Sequence, residues 1–259
     1  MKYKVLISDF DGTLVGLDST PTEKVKETIK KLLDGGLKVC IATGRIYQAK
    51  VKEVCQELNL GDPQITSGGS RIIDPKTDKI IWEECMVKGD AKSLIDFLSK
   101  NNYPFAVESG EYVFSDDQII RERYGSGLLF KSIKELDLSQ VSKIFVPDIS
   151  LVSTLKEMFP KVNVIVAGLS VRRALDITSK KASKELAVFQ LSKILNIDTS
   201  EMIGIGDGYN DIPLLSACGY KVAMENAPDE LKEMADLVVP TVENDGLVVA
   251  INKLLPSSY

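Results

Sequence analysis

Apolar residues along the chain fall into two alternating kinds of segment. Short apolar runs such as Val5–Ile7 and Leu37–Ala42 lack polar alternation, which is typical of parallel strands buried on both faces. Between these runs, Val25, Ile29 and Leu32 recur at the spacing of an amphipathic helix. The first third of the chain therefore predicts a βαβαβ order.

The middle of the chain has a different pattern. A helix is expected over Ala91–Leu98, and short strands follow it; a helix around Leu151–Phe159 and further strands then repeat this order. The predicted strands are Phe105–Glu108, Tyr112–Ser115, Lys143–Val146, Val162–Ala167 and Val171–Ile177. This arrangement indicates an α+β module inserted into the first fold.

After Ile177 the alternation of strand and helix resumes up to a terminal helix. We therefore expect an α/β protein whose core is a Rossmann-like, doubly wound parallel sheet, divided by the insert. The expected boundaries assign residues 1–83 and 177–259 to the core and residues 84–176 to the insert.

Composition narrows the class of protein. The chain has 259 residues, 44% hydrophobic and 27% charged, which is ordinary for a globular protein of two domains. No apolar stretch approaches the ~20 residues of a membrane span, and Val5–Ile7 is too short for a signal-peptide core, so the cytoplasm is the expected location. A net charge of -5 without a long basic cluster argues against a nucleic-acid partner. The oligomeric state is left open.

The sequence contains no histidine. This absence excludes Ser-His-Asp and Cys-His catalysis, phosphohistidine intermediates and histidine-ligated metals. The cysteines Cys40, Cys55, Cys85 and Cys218 have no paired spacing, so we interpret them as small buried apolar residues in a reducing compartment rather than as zinc ligands. Carboxylate, lysine, hydroxyl and hard-metal chemistry remain.

Two aspartates, Asp9 and Asp11, follow the first predicted strand. Open α/β sheets bind ligands beyond the carboxyl ends of their strands, and side chains two residues apart on extended backbone point the same way. We therefore expect both carboxylates to face one pocket, where each raises the pKa of the other unless a cation compensates. The alternative is that both are turn or cap residues.

Three further polar segments lie at the end of a predicted core strand or the start of a helix. They are Thr43-Gly44-Arg45, Lys184, and Gly206-Asp207-Gly208-Tyr209-Asn210-Asp211. Alone, Thr43 could be the N-cap of a helix that begins at Arg45, and Asp207 and Asp211 could cap the helix at Ile212. Because Tyr209 stands where a third glycine is required, the last segment does not match a dinucleotide-binding loop.

Taken together, these four segments resemble the motifs of the haloacid dehalogenase superfamily of phosphohydrolases. The insert resembles the cap of the Cof-type, sugar-phosphatase branch of that superfamily, and the resemblance covers the whole chain. Three departures from the branch pattern are Glu225 in place of glycine, Ser67-Gly68-Gly69 in place of Asn-Gly-Ala, and Glu185 in place of a small residue after Lys184. The last departure leaves Lys181 as a second candidate for the family's lysine.

The resemblance implies roles for the acidic residues. Asp9 would attack phosphorus and form an aspartyl phosphate, and Asp11 would act as general acid and then as general base. Asp207, Asp9 and the backbone carbonyl of Asp11 would hold Mg²⁺, and Asp211 would support that site from outside the ligand set.

The resemblance also implies a phosphate-binding set: the Thr43 hydroxyl, the Gly44 amide, the Lys184 ammonium and Asn210. Substrate identity would depend on the cap. Candidate contacts to a second anionic or hydroxyl-rich part of the substrate are Arg45, Arg172 and Arg173, while Glu108, Glu111 and Tyr112 could touch a sugar or nothing.

The expected function is therefore Mg²⁺-dependent hydrolysis of a small phosphate monoester, such as a sugar phosphate. A phosphoglycolate-type phosphatase or a phosphomutase on the same scaffold is an alternative reaction. A metal- or phosphate-binding regulator without turnover is an alternative of another class, although binding alone would not require Asp11.

Overall fold

The computed structural model describes residues 2–124, 127–167 and 173–254. Its strands are β1 (Val5–Ser8), β2 (Lys38–Ile41), β3 (Gln64–Thr66), β4 (Arg71–Asp74), β5 (Lys79–Glu83), β6 (Ala106–Ser109), β7 (Tyr112–Phe114), β8 (Leu129–Lys131), β9 (Val141–Val146), β10 (Val162–Ala167), β11 (Ala174–Ser179), β12 (Met202–Gly206), β13 (Tyr220–Met224) and β14 (Leu237–Val239). Its α-helices are α1 (Glu23–Asp34), α2 (Lys50–Glu57), α3 (Lys88–Lys100), α4 (Gln118–Tyr124), α5 (Val152–Met158), α6 (Lys184–Leu195), α7 (Ile212–Ala217), α8 (Asp229–Glu233) and α9 (Gly246–Leu254).

Five parallel strands form the central sheet in the order β14-β13-β12-β1-β2. Strand β1 pairs with β2, which follows it directly among the core strands, and with β12, which lies far along the chain. The strand order therefore reverses beside β1. In open α/β sheets, ligands bind beyond the carboxyl ends of the strands at such a reversal.

Helices cover both faces of this sheet. Leu6 of β1 belongs to the apolar cluster that includes residues of α1, α2 and α9, whereas Val5 and Ile7 belong to the cluster that includes residues of α6, α7 and α8. Successive side chains of a strand point to opposite faces. Both faces of β1 are therefore buried, which explains why its sequence is apolar without alternation.

A second sheet of six strands has the order β10-β11-β9-β6-β7-β8 and is antiparallel except between β7 and β8. Residues of α3 and α5 pack against it in a separate apolar cluster. A third, antiparallel sheet comprises β3, β4 and β5, with the predicted turn after Asp74 between the last two. It adjoins the central sheet through a bridge between Ala42 and Ile65.

The predicted fold class is confirmed: a parallel α/β core carries an inserted α+β unit. The individual boundaries differ in places. Strand β11 runs across the expected boundary between residues 176 and 177, because it is one continuous partner of β10 and β9. The predicted strand start at Val171 lies outside the described residues. None of the described helices is both long and apolar enough to cross a membrane.

Candidate active site

Asp9 and Asp207 follow neighbouring strands of the central sheet. The register pairs Ser8 of β1 with Ile205 of β12, and the Asp9 backbone N–H donates to the Ile205 carbonyl over 2.9 Å. Parallel strands present their carboxyl ends at the same edge of a sheet. Two aspartates that are far apart in sequence are therefore brought to one point.

Three buried carboxylates meet at this point. One oxygen each of Asp9, Asp207 and Asp211 lies within 4.8 Å of the others. Burial, and then the charge of Asp211, raise the pKa of Asp9 well above its ordinary value and the pKa of Asp207 to about 7. The cluster therefore carries more negative charge than the protein groups around it neutralise.

Lys184 supplies the ammonium group of the cluster from the first turn of α6. Its Nζ donates to Oδ1 of Asp9 and to Oδ1 of Asp211, each over 2.6 Å. Burial lowers the pKa of Lys184, but the charges of Asp211 and Asp9 outweigh it and the net shift is upward, so the ammonium stays protonated. The alternative lysine, Lys181, is exposed to solvent.

Asp211 is the most deeply buried of the three carboxylates. Its Oδ2 accepts the backbone N–H groups of Asp207 and Gly208 over 3.0 and 2.9 Å, while its Oδ1 accepts Lys184. The Asp211 side chain does not cap the helix at Ile212; it accepts backbone N–H groups at the start of the preceding turn instead. Because both oxygens of Asp211 are occupied, its carboxylate fixes the loop that carries Asp207.

Two residues that the sequence motifs did not assign hold the Asp207 carboxylate. Thr13 Oγ1 donates to one oxygen over 3.3 Å, and Asn226 Nδ2 donates to the other over 3.2 Å. Thr13 lies in the same motif as Asp9. Asn226 directly follows Glu225, which stands where the branch pattern has glycine, so its position was a signal although no role had been assigned.

The Asp11 carboxylate does not belong to this cluster and has a different partner. It lies outside the three-carboxylate cluster found among the described residues, and it binds the Arg45 guanidinium. Asp9 and Asp11 therefore have different protein partners: Lys184 pairs with Asp9, and Arg45 pairs with Asp11. The reason is that the strand ends at Ser8, so the alternation of extended backbone does not continue to Asp11.

Three of the phosphate-binding candidates line a small cavity. They are Gly44, Lys184 and Asn210, and the volume of the cavity is about 10 Å³. Thr43 is buried, and its Oγ1 accepts the Arg45 backbone N–H over 3.0 Å. It does not cap an α-helix, because α2 begins only at Lys50.

Side chains of the six-stranded sheet cover the same cavity. Asp176 of β11 lines it, and Lys143 of β9 lies beside Asp176 and donates to the Gly44 carbonyl. Lys143 Nζ also pairs with Glu108 Oε1 over 2.7 Å. A lysine and an aspartate inside otherwise apolar strands were the sequence signals for this buried group, since such residues are rarely buried without partners.

The other described candidates of the insert are not among the residues that line this cavity. Glu111 is exposed, and the ring of Tyr112 lies against that of Phe114. Arg173 is exposed, and Arg172 lies outside the described residues.

The donor set fits a hard divalent cation. All the clustered atoms are carboxylate oxygens, and Mg²⁺ prefers oxygen ligands. The raised pKa values of Asp9 and Asp207 have burial and carboxylate repulsion as their causes, and a bound cation reverses such shifts. The residues that would hold the ion are Asp9 and Asp207, with Asp211 as the third nearby carboxylate.

Comparison with known proteins agrees with this geometry. A profile of the haloacid dehalogenase-like hydrolases matches residues 6–251, so the chain belongs to that family. It is 25% identical to 5-amino-6-(5-phospho-D-ribitylamino)uracil phosphatase YwtE of Bacillus subtilis, over 99% of this chain and 99% of that one. It is 24% identical to phosphatase YwpJ of the same organism, over 97% of this chain and 100% of the relative.

A solved crystal structure has the same fold. The crystal structure of a haloacid dehalogenase-like hydrolase from Bacteroides thetaiotaomicron superposes with a TM-score of 0.84 and 23% identity, covering 98% of this chain and 100% of that one. The protein is therefore an enzyme of the haloacid dehalogenase-like hydrolase family whose relatives are phosphatases.

Proposed function

We propose that the protein hydrolyses a small phosphate monoester in a Mg²⁺-dependent reaction, with Asp9 as the phosphoryl acceptor. The observation that carries this proposal is the environment of the Asp9 carboxylate at the end of β1, which pairs with the Lys184 ammonium and has an oxygen within 4.8 Å of one of Asp207. One oxygen of Asp9 is held by Lys184, which leaves the other free to attack.

Asp11 is the proposed general acid and base. It would protonate the leaving oxygen and later take a proton from the attacking water. Its carboxylate is only partly buried and is oriented by Arg45, so it can reach a bound ester from outside the carboxylate cluster.

The proposed phosphate site uses neutral donors and one cation. The Gly44 amide, the Thr43 hydroxyl, Lys184 and Asn210 would surround the phosphoryl oxygens, where fixed donors stabilise the charge that spreads in the transition state. Gly44, Lys184 and Asn210 already share one cavity, which supports this assignment.

The proposed cofactor is Mg²⁺, held by Asp9, Asp207 and the backbone carbonyl of Asp11. When bound, the ion would neutralise negative charge on the phosphoryl group. Asp211, Thr13 and Asn226 would keep Asp207 in place through the hydrogen bonds described above.

The six-stranded sheet and its helices, within residues 84–176 and the remainder of β11, are the proposed cap. Lys143 and Asp176 of this unit lie directly over Gly44, so a substrate larger than the small cavity would need the unit to move away. The proposed substrate is a phosphorylated sugar or a related metabolite, in line with the phosphorylated polyol in the name of the relative YwtE. The cytoplasm is the proposed location.

The test is a panel of phosphorylated metabolites assayed for phosphate release with and without Mg²⁺. We expect release by the wild type in Mg²⁺ and loss by at least about a thousandfold in Asp9→Asn. The matched control is Asp18→Asn, the same change at an exposed aspartate, which should retain activity. Full activity of Asp9→Asn, or no release from any ester by the wild type, would contradict the proposal. An isomerised phosphate ester instead of free phosphate would identify a mutase.

A further inference from the structure

The six-stranded sheet contributes an acidic side chain to the cavity over the phosphate site. Asp176 of β11 is buried and lines that cavity together with Lys184 and Asn210. Its Oδ2 lies 2.7 Å from the point where a Cβ on residue 44 would be. A glycine at position 44 therefore leaves room for a carboxylate directly beside the proposed phosphate-binding loop.

Asp176 has unused hydrogen-bonding capacity on the cavity side. Its Oδ1 is 3.3 Å from Lys143 Nζ, whereas its Oδ2 accepts no hydrogen bond among the described residues. Glu108 behind it has a similar feature: Oε1 accepts Tyr124 Oη and Lys143, while the buried Oε2 has no partner in the part of the chain that is described. Buried oxygens without a donor are rare in folded proteins.

The charge of this group is negative. Two buried carboxylates, Asp176 and Glu108, pair with the ammonium of Lys143, which also donates to the Gly44 carbonyl. Lys184, the cation among the described residues that line the cavity, is already paired with Asp9 and Asp211. A second anionic group on a substrate would therefore meet an excess of acceptors and uncompensated negative charge, which is unfavourable at a buried site.

We propose that Asp176, held in place by Lys143, is a specificity-determining residue that selects esters with a hydroxyl-bearing, uncharged leaving group and rejects those with a carboxylate. The hydroxyl hydrogen of such a leaving group would be donated to Oδ2 of Asp176. This inference rests on the proposed function and decides between two of its variants, because a phosphoglycolate-type substrate carries the disfavoured carboxylate.

The test compares two esters that share a carbon skeleton, glycerol 3-phosphate and 3-phosphoglycerate, which differ by a hydroxymethyl group against a carboxylate. For the wild type, kcat/KM should favour glycerol 3-phosphate by at least about tenfold. Asp176→Asn keeps the shape and one acceptor oxygen but removes the charge. It should reduce the preference to within about threefold, chiefly because kcat/KM for 3-phosphoglycerate rises.

Partial unfolding of Asp176→Asn would not raise kcat/KM for 3-phosphoglycerate. Asp116→Asn is the matched control, because it removes one charge from an exposed position of the same unit and should leave the preference unchanged. If Asp176→Asn is unstable in a thermal melt, Asp176→Ser removes the same charge from a smaller side chain and should relax the preference in the same direction.

The outcomes separate the inference from the proposed function. An unchanged preference in both Asp176 variants, or a wild-type preference for 3-phosphoglycerate, overturns the inference alone. Hydrolysis of p-nitrophenyl phosphate without hydrolysis of glycerol 3-phosphate also overturns it alone. Absence of phosphate release from every ester tested contradicts the proposed function, and the inference falls with it.

Discussion

Arg45 binds Asp11 with two donors. Its Nε donates to Oδ2 of Asp11 over 2.7 Å, its Nη2 donates to Oδ1, and the same Nη2 donates to Ser19 Oγ over 2.9 Å. The guanidinium also lies 5.2 Å from the centre of the Phe10 ring. The planar fork of an arginine matches a carboxylate in a way that a lysine does not. Arg45 therefore fixes the orientation of the proposed general acid.

If Arg45 orients Asp11, the effect of replacing Arg45 on catalysis should depend on the leaving group of the ester. Arg45→Met should lower kcat/KM, which reports the steps up to phosphoryl transfer, by about ten- to a hundredfold for an alkyl phosphate, because a misplaced Asp11 donates a proton less effectively. With p-nitrophenyl phosphate, whose leaving group needs little protonation, the decrease should be much smaller. Steady-state kinetics on both esters measures the difference. Arg45→Lys, which keeps only the charge, should fall between wild type and Arg45→Met; equal losses on both esters would refute the positioning role.

A second prediction concerns Asp11 itself. In Asp11→Asn, p-nitrophenyl phosphate should still transfer its phosphoryl group, because the nitrophenolate leaves without an acid. Removal of the phosphoryl group by water should be slow, because the general base is missing. Stopped-flow absorbance should then record a burst of nitrophenolate close to one equivalent of enzyme, followed by slow turnover. A linear trace without a burst at the same slow rate would place the block before phosphoryl transfer.

A third prediction concerns the stability of the metal-free protein. The pKa of Asp207 is raised, by burial and then by Asp211, from 3.8 to about 7. Between these two values the folded chain binds more protons than the unfolded chain, so the free energy of unfolding decreases as pH rises. Thermal melts in EDTA should therefore give a lower Tm at pH 7.5 than at pH 5, and Mg²⁺ should restore the Tm at the higher pH.

Two variants test whether Asp207 causes this dependence of Tm on pH. Asp207→Asn removes the titrating group, so its Tm in EDTA should depend less on pH and exceed that of the wild type at pH 7.5. Asp116→Asn changes the net charge equally at an exposed site and should behave like the wild type. A wild-type Tm in EDTA that rises over this range, with no response to Mg²⁺, would be inconsistent with a strained carboxylate cluster.

Two glycines with similar positive φ values give a fourth prediction. Gly36 and Gly69 have φ values of +81° and +90°, but a Cβ on Gly36 would touch nothing, whereas a Cβ on Gly69 would lie 2.3 Å from the Ser183 carbonyl carbon. Gly36→Ala should cost about 1 kcal/mol through backbone strain alone. Gly69→Ala should cost about 3 kcal/mol or more, because the turn must move away from the start of α6.

Urea unfolding of the two variants measures that difference. Because Ser183 directly precedes Lys184, the Gly69→Ala variant should also lose phosphatase activity under conditions where it is folded. Equal destabilisation of both variants would mean that the close approach of the Ser67–Gly69 turn to α6 is not maintained in solution.

The sequence predicted the fold class well because the relevant signals are local. Apolar runs without alternation identified β1 and β2, and helical spacing identified α1. The short elements α4 and β8 were not predicted, since seven and three residues carry too little periodicity to distinguish from a loop. Strand β8 forms by pairing with β7, and Ile120 of α4 packs with Ala106 and Val113 of the second sheet.

Site residues at the end of a strand were predictable from the sequence motifs. Contacts between residues that are distant in sequence were not. Asp9 and Asp207 were expected to meet, and parallel pairing of β1 with β12 brings them together. The choice of Lys184 over Lys181 agrees with the position of its ammonium group. The pairing of Arg45 with Asp11 and the contact of Lys143 with Gly44 are long-range in sequence, so no local pattern encoded them.

Acid-quenched turnover of an ester labelled with ³²P tests the central proposal most directly. If Asp9 accepts the phosphoryl group, enzyme quenched during turnover in Mg²⁺ should carry label that is stable in acid and lost in base, on the peptide that contains Asp9. Asp11→Asn should carry more label, and Asp9→Asn none. Phosphate release at the full rate with no labelled protein, or label on a peptide that lacks Asp9, would contradict the account.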